Sequence, residues 1–434
     1  MKTDMKIVLI LLVVISVIGI FSCKKNIIDI PEITYDFPKE NALYSVGDTV
    51  EIRVHIKSIS AIKSIAFTLV DEHLIPQLSN YTYPANDKNE LTVDFAFIIS
   101  DYYMLSGIYQ VLCKVTNEQE VKHKYQKIII SEITQVLEGV AVVTRQGSKT
   151  KVWDLNTSLS SSTLKFELYS DYSSSVYLPF HHRFALAGAI SGDVIVWDYF
   201  TEDTLTRIPH YPNPPFPYFS GLTSFSDLTA VSFYQGSVSL YNYLGYQTHT
   251  VPTQSGFYPA QVLDVNPNFL IVQKQTNGSN QLISLHLGTT ASQHASFGLQ
   301  GDIINAFPFE ANDFMIFFNQ TNMGNIEKYI FDNNATTEPV SYHGAAFSSA
   351  AQIDSKNYLL AAGNQLLWYQ YEVSSVSPIY TGKELHFLAF DQLSNRVYAS
   401  AEQMVMVFDI PSGQLISSFD LGEEILNIHL IYNK

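Results

Sequence analysis

Seven bulky residues recur at nearly fixed spacing through residues 135–434. Trp153, Trp197, Tyr241, Leu285, Tyr329, Tyr369 and Phe408 each close a short apolar run, and they stand 44, 44, 44, 44, 40 and 39 residues apart. Chance does not hold one spacing four times running. A period of about 40–45 residues belongs to a four-stranded β-propeller blade, so seven such blades are expected. Ahead of each closing run lies a second apolar run and a turn. Residues 184–189 precede Ser191-Gly192-Asp193, 228–233 precede Gln235-Gly236-Ser237, 358–362 precede Gly363-Asn364, and 397–400 precede Glu402-Gln403. Two β-rich runs joined by turn formers read as a hairpin, here the middle pair of a blade. The tail at 425–431 follows the seventh blade's expected outer strand. It is expected to pair beside 140–144 and complete blade one, closing the ring and removing its open edges.

The closing runs Lys151-Val152-Trp153-Asp154, Ile195-Val196-Trp197-Asp198 and Met406-Val407-Phe408-Asp409 resemble those of the WD-repeat and YVTN-like propellers, over about residues 135–434. The Gly-His pair of WD repeats is missing from every blade. The resemblance therefore implies the architecture and carries no family site.

Upstream, Lys2 and Lys6 precede an uncharged apolar stretch at 7–21 that ends in Ser22-Cys23. The stretch is short for a membrane span and right for the core of a signal peptide. A small residue before Cys resembles the bacterial lipobox. That resemblance implies a signal peptide at 1–22, acylation of Cys23, an anchor linker at 23–30 and a lipoprotein held to the outer membrane, facing the periplasm or the cell surface. Lys24-Lys25-Asn26 resembles the start of many lipoproteins of Bacteroidota.

Residues 31–132 read as a separate β-sandwich of about seven short strands. Runs 50–56 and 91–97 alternate apolar and polar, the mark of one buried and one wet face, and 107–111 and 125–130 read as closing strands. Val46-Gly47-Asp48-Thr49-Val50 and Ser106-Gly107-Ile108-Tyr109 resemble pieces of immunoglobulin-like and PKD-like domains, which implies a spacer behind the anchor. Glu132-Ile133-Thr134 joins this domain to the propeller. No window shows a clean 3.6-residue apolar period, so the mature chain is expected to be all-β: an immunoglobulin-like sandwich followed by a seven-bladed propeller.

A formal net charge of −16 without a basic cluster argues against nucleic acid, whose phosphates need Lys and Arg. Cys113, between Val111 and Val115, is expected to face inward as a small hydrophobe. Among 12 histidines the adjacent pair is His181-His182, with no further ligand at metal spacing. No phosphate loop, nucleophile elbow or HExxH appears, so neither catalysis, nor a metal, nor a cofactor is expected. Asn80, Asn156, Asn277, Asn319 and Asn334 head Asn-x-Ser/Thr triplets and read as turn residues. Asp48-Thr49-Val50 and Asp203-Thr204-Leu205 resemble the O-glycosylation triplet of Bacteroidota.

In a propeller, the links from one blade's outer strand to the next blade's inner strand emerge on one face, beside the turns of the middle hairpins. Here those links are aromatic. Tyr172 precedes blade two. Tyr211, Phe216 and Tyr218 precede blade three in a stretch with four prolines, which limit the entropy lost on binding. Phe257 and Tyr258 precede blade four, and Tyr342-His343-Gly344 precedes blade five. This set, with His343, is the candidate surface for a protein, peptide or glycan partner, against the alternative that the rings pack between blades. The function expected is a membrane-anchored, non-catalytic binding or scaffold lipoprotein, an accessory to nutrient uptake by analogy. A propeller hydrolase or lyase acting on a glycan, or a purely structural envelope protein, are the alternatives.

Overall fold

The computed structural model describes residues 29–434 apart from 103, 212–216, 226–227, 277–279 and 289. The leader, Cys23, Phe216 and Asn277 fall outside the described residues. The chain divides into two compact units, one ending at Thr134 and one running Gln135–Lys434. Both are built of strands. The described residues hold two single-turn 3-10 segments, Pro179–His181 and Phe331–Asn333, and no α-helix.

The first unit has eight strands: β1 Glu32–Phe37, β2 Ala42–Ser45, β3 Thr49–Lys57, β4 Ile62–Val70, β5 Tyr81–Tyr83, β6 Glu90–Ile98, β7 Gly107–Asn117 and β8 Val121–Ser131. That is one more than the apolar runs suggest, because β5 is too short to show a period. The strands form two sheets, β1-β3-β6 and β2-β8-β7-β4-β5, with β2 running parallel to β8. Every second residue of β3 is buried. Val50, Ile52, Val54 and Ile56 share one core with Ile65, Phe67 and Leu69 of β4 and Val111 and Val115 of β7. Cys113 lies in the same row, fully buried, and burial pushes its thiol up to about 12, far from the thiolate that reactivity needs. At one end, the Asp29 carboxylate accepts from Ser58 Oγ at 2.8 Å, Ile59 N at 3.0 Å and Asn117 Nδ2 at 3.1 Å. Ser60 donates to it twice, from its hydroxyl and its N–H, and leads the set of hydrogen bonds that hold this acid well below the usual carboxylate range.

The second unit is a seven-bladed β-propeller. Blade two consists, from axis to rim, of Ser174–Leu178, Arg183–Ala187, Val194–Asp198 and Thr204–Ile208. Blade three is Phe219–Phe225, Leu228–Phe233, Ser237–Tyr241 and Gln247–Pro252. Blade four is Phe257–Val265, Asn268–Gln275, Gln281–His286 and Gln293–Gly298. Blade five is Asp302–Pro308, Phe314–Gln320 and Met323–Ile330, with an outer edge split into Ala335–Thr336 and Val340–Tyr342. Blade six is Phe347–Asp354, Asn357–Ala362, Gln365–Gln370 and Ser375–Thr381, and blade seven Leu388–Asp391, Arg396–Ala401, Met404–Asp409 and Leu415–Asp420.

All seven spaced residues lie on the third strand of their blades. The second strands read as unbroken apolar runs because blades flank them on both faces; Phe314 to Phe318 and Tyr358 to Ala362 are all buried. In blades two and three the polar residue after the spaced one serves the turn to the outer strand. Asp198 Oδ1 accepts from the N–H groups of Phe200 and Thr201 at 3.1 and 3.0 Å, and Asn242 Oδ1 from those of Leu244 and Tyr246 at 3.1 and 2.9 Å. These are Asx turns, so in these two blades the acid and the amide serve a local turn.

Blade one is closed by the C-terminus. Its inner strand Glu424–Tyr432 pairs antiparallel with Leu137–Gln146, with Ile425 opposite Thr144 and Leu430 opposite Val140. Lys149–Asn156 and Ser162–Leu168 complete it. Just before the inner strand, the buried Glu423 carboxylate accepts from Lys151 Nζ at 2.6 Å, Thr144 Oγ1 at 2.6 Å and Trp153 Nε1 at 3.0 Å. Burial alone would raise this acid; the hydrogen bonds and the ammonium outweigh it and hold it below its ordinary value.

Two expectations are corrected. Tyr342-His343-Gly344 leads into blade six, not blade five. The segment follows Tyr329, the spaced residue of blade five, and that blade's outer edge, so the next strand, Phe347–Asp354, opens blade six. The link into blade five is residues 299–301, without an aromatic, so the aromatic links do not fall on four consecutive blades. Asn319 is no turn residue either. It lies in a strand, where its amide both donates to Phe347 O and accepts from Phe347 N, each at 2.7 Å, and ties blade five to blade six.

Candidate functional site

The links and the middle turns meet at one end of the propeller, and each link has its own fate. In the link into blade two, Asp171 accepts from the N–H groups of Ile190, Ser191 and Gly192 at 2.5, 3.0 and 3.0 Å. It thereby caps that blade's own middle turn. Tyr172 follows it into the seam between blades one and two. Its hydroxyl meets Ser175 Oγ at 3.0 Å, and burial pushes it up to about 12. Ser175 Oγ also meets His429 Nε2 at 2.8 Å and accepts from Asn427 Nδ2 at 3.3 Å. Tyr172 is thus a seam residue rather than a surface ring.

The link into blade three starts from a fixed point. The buried Asp193 holds His210 through its ring Nδ1 at 2.6 Å and its N–H at 2.9 Å, and accepts from Arg207 Nε. Burial would raise the Asp193 acid, but these hydrogen bonds prevail and lower it. Tyr218 is buried against Phe219 and Phe233. Tyr211 stands edge-on to Tyr218, ring centroids 5.5 Å apart, and is 65% exposed. One ring of this pair belongs to the core and the other to the surface. His343 is exposed near blade five, its Nδ1 2.9 Å from Met323 Sδ.

The link into blade four builds a cavity. Thr253 Oγ1 donates to Phe257 O at 2.7 Å, and Phe257 N donates to Gln254 O at 3.0 Å, so the inner strand starts at a defined angle. Tyr258, next in the chain, stacks on Tyr234 of blade three's middle turn, with ring centroids 4.2 Å apart and an interplanar angle of 24°. Tyr258 borders a cleft of about 660 Å³, lined also by Lys274, Gln275, Gln281, Gln300 and Asp302. The link into blade five forms part of the lining. There Gly301 has φ +143°, and a Cβ on it would lie 2.4 Å from Asn319 O, so only glycine brings this link so close to the sheet. Gln281 Nε2 donates to Gly301 O at 3.0 Å, and Lys274 Nζ meets Asp302 Oδ1 at 2.8 Å. Gln281 Oε1 is buried with no hydrogen-bond partner.

Of the residues expected at this face, the structure therefore places Tyr258 in the cleft, with Phe257 beside it in sequence, and sets Tyr211 against Tyr218. Tyr172 and His343 lie elsewhere on the ring. Sequence reasoning missed Tyr234, Gln281 and the Lys274–Asp302 pair. The one available signal was the short link Gly298-Leu299-Gln300-Gly301, whose glycines mark a close backbone approach.

Two serine–histidine contacts have the chemistry of a nucleophile and its base, and both are sealed. Ser175 with His429, and Ser284 with His286 at 2.9 Å, have buried hydroxyls. Burial lowers both imidazoles, that of His429 to about 4; His429 joins blade one to Ser175 of blade two, while His286 bonds Ser284 and Ala291 O within blade four. Among the described residues, no group of three His, Cys, Asp or Glu could hold a metal ion.

No protein-family model matches the chain, and no curated protein matches it. Solved structures are similar in fold. A quinonprotein alcohol dehydrogenase-like protein from Bacteroides thetaiotaomicron aligns over 92% of this chain and 99% of its own, at 14% identity and TM-score 0.49. Dihydro-heme d1 dehydrogenase NirN aligns over 68% and 75%, at 12% identity and TM-score 0.48. The propeller of Dos1 aligns over 68% and 88%, at 13% identity and TM-score 0.46. At such identities these are likenesses of fold, and it is the seven radial sheets of the second unit that make it a β-propeller.

Proposed function

We propose that the protein is an outer-membrane lipoprotein, anchored through Cys23, that binds a ligand or partner without transforming it, on the link face of its propeller. The observation that carries this reading is the cleft at Tyr258. Amides and a phenol hold a ligand by hydrogen bonds and stacking, and the Lys274 and Asp302 charges neutralise each other. The apolar stretch ending at Ser22-Cys23 supports the anchor. The first unit then acts as a spacer, and we read it as immunoglobulin-like. Its strand order, with β2 crossing from one sheet to run parallel to β8 in the other, supports that reading. An accessory role in nutrient uptake, in an organism of Bacteroidota, follows from the resemblance of the leader and of Lys24-Lys25-Asn26.

Fractionation tests the anchor. The chain should carry acyl label and sediment with outer membranes, and Cys23→Ala should lose the label and appear in the soluble fraction. A Cys23→Ala chain that stays membrane-bound would overturn it. For the site, Tyr258→Ala should abolish retention of the partner while leaving the melting temperature unchanged.

A further inference from the structure

We infer that the cleft between blades four and five is a binding site for a short, neutral oligosaccharide. The inference rests on the binding reading above and specifies the ligand class. Four features of the cleft lead to it.

The first is charge. Lys274 and Asp302 pair at the rim of the cleft at 2.8 Å, and as the charged residues of its lining they leave it with no net charge. Nucleotides, acidic peptides and phospholipid headgroups lack a counter-charge here. The second is the kind of polar group. Gln275 and Gln300 line the cleft beside Gln281, and a side-chain amide offers a donor and an acceptor side by side in one plane. A sugar hydroxyl both donates and accepts, and adjacent hydroxyls on a ring present that pair at matching separation. A lipid chain or an apolar side chain would bury these amides unsatisfied.

The third feature is Gln281. Its Nε2 is fixed on Gly301 O at 3.0 Å, which fixes the orientation of the amide and leaves Oε1 buried without a partner. Buried acceptors are nearly always satisfied; this one is closed off from solvent, so a ligand hydroxyl meets it only once the Gln281 side chain or the Gly301 link shifts. The fourth is Tyr258. Stacked on Tyr234, its ring is held in place before any ligand arrives, and a pinned aromatic suits the axial C–H face of a pyranose at little entropic cost. Leu299 is the other apolar side chain in the lining, so the cleft lacks the apolar pockets that read peptide side chains. Its volume of about 660 Å³ falls within the usual span of small-ligand sites, about 300–1,000 Å³. That is room for a short oligosaccharide rather than for an extended peptide.

The test uses the purified full chain in detergent on an array of neutral gluco-, manno-, xylo- and galacto-oligosaccharides. Hits are followed by titration calorimetry and by chromatography of the sugar after incubation. At least one series should bind. Tyr258→Ala and Gln300→Ala should each weaken it about tenfold or more. Tyr258→Phe should stay within about threefold, and all three variants should melt as the unmodified chain does. No binding to any sugar at about 1 mM would overturn the inference, as would sugar binding untouched by Tyr258→Ala. Capture of a peptide from a parallel peptide array, lost in the same variants, would overturn the sugar class and leave the binding reading standing. Sugar that binds in the cleft and emerges shortened would uphold the site and overturn the non-catalytic reading.

Discussion

The Lys151–Glu423 pair of blade one and the Lys274–Asp302 pair between blades four and five are the same chemistry at the same end of the propeller. Their surroundings differ. In the first, the side chains are 10% and 6% exposed, and the carboxylate takes further bonds from Thr144 and Trp153. In the second they are 41% and 73% exposed and face an open cleft. The first pair lies within one blade, between the C-terminal link and a strand residue 272 positions earlier, and its burial makes it a clasp. The second joins neighbouring blades at the rim of a cavity, where water screens it and a ligand can replace the water. The contrast teaches that in this fold a charged pair at a blade end is read by what covers it, not by its residues.

The most severe way to break the contrast is to remove the strand that covers the first pair. Deleting 424–434 takes away the inner strand of blade one and uncovers the edges it closes; cooperative unfolding followed by circular dichroism should be lost. Next in size, Glu423→Ala leaves a buried ammonium without its partner, at a cost of about 3–5 kcal/mol. A chemical melt should show it, and the double change Lys151→Met with Glu423→Leu should recover most of it, because a buried pair replaced together by apolar groups is often nearly neutral.

The third prediction concerns pH and the same C-terminal strand. Burial lowers His429 to about 4, against about 6.5 in the unfolded chain. Above pH 6.5 the imidazole is neutral in both states and contributes nothing to the pH dependence. Below it, the unfolded chain binds a proton that the folded chain refuses. This histidine should therefore cost about 2–3 kcal/mol of stability between about pH 6.5 and 4, against an opposing gain from Asp264, whose acid burial raises to about 6, and the His429→Asn chain should lose less stability over that window than the unmodified one. Glu423, lowered in the fold, adds its own loss at more acid pH, as the carboxylate takes up its proton. The smallest effect is expected at the exposed pair. Lys274→Ala should change stability by less than about 1 kcal/mol, while oligosaccharide titration should show weakened binding. A large loss of stability there would erase the contrast.

Much of this architecture was legible because it is local. Trp153, Trp197, Tyr241, Leu285 and Tyr329 hold their period since each fills the same place on a third strand, and the apolar second strands follow from burial on both faces. The candidate site was only partly legible, for the opposite reason. Tyr258 could be found as an aromatic in a link, but so could Tyr172 and Tyr218, which the structure turns into the seams. What separates them is what stands beside each ring. Tyr258 meets Tyr234 from the blade before, next to a cleft walled by Gln275 and Gln281 of its own blade and Gln300 of the link to the next, and nothing in its own segment announces this. Gln275, Gln281 and Gln300 are individually anonymous, and Lys151 with Glu423 is a pair only once the ring has closed.

The closure has a mechanical consequence. Where the propeller unit begins and ends, Asn433 N donates to Val136 O at 3.1 Å, Val136 N to Asn433 Oδ1 at 2.8 Å, and Gln135 Nε2 to Lys434 O at 3.0 Å. The two ends of the unit leave side by side from one antiparallel pair. A force drawing them apart would load one hydrogen-bonded pair at a time, from Leu137–Tyr432 inward, and peel the strand away like a zipper. A pull along the strand would instead load all those bonds together. The Glu423 clasp sits at the far end and would yield last. A tether on one end only puts no tension across the seam, whereas a load or a rigid fusion spanning both ends would act on it directly.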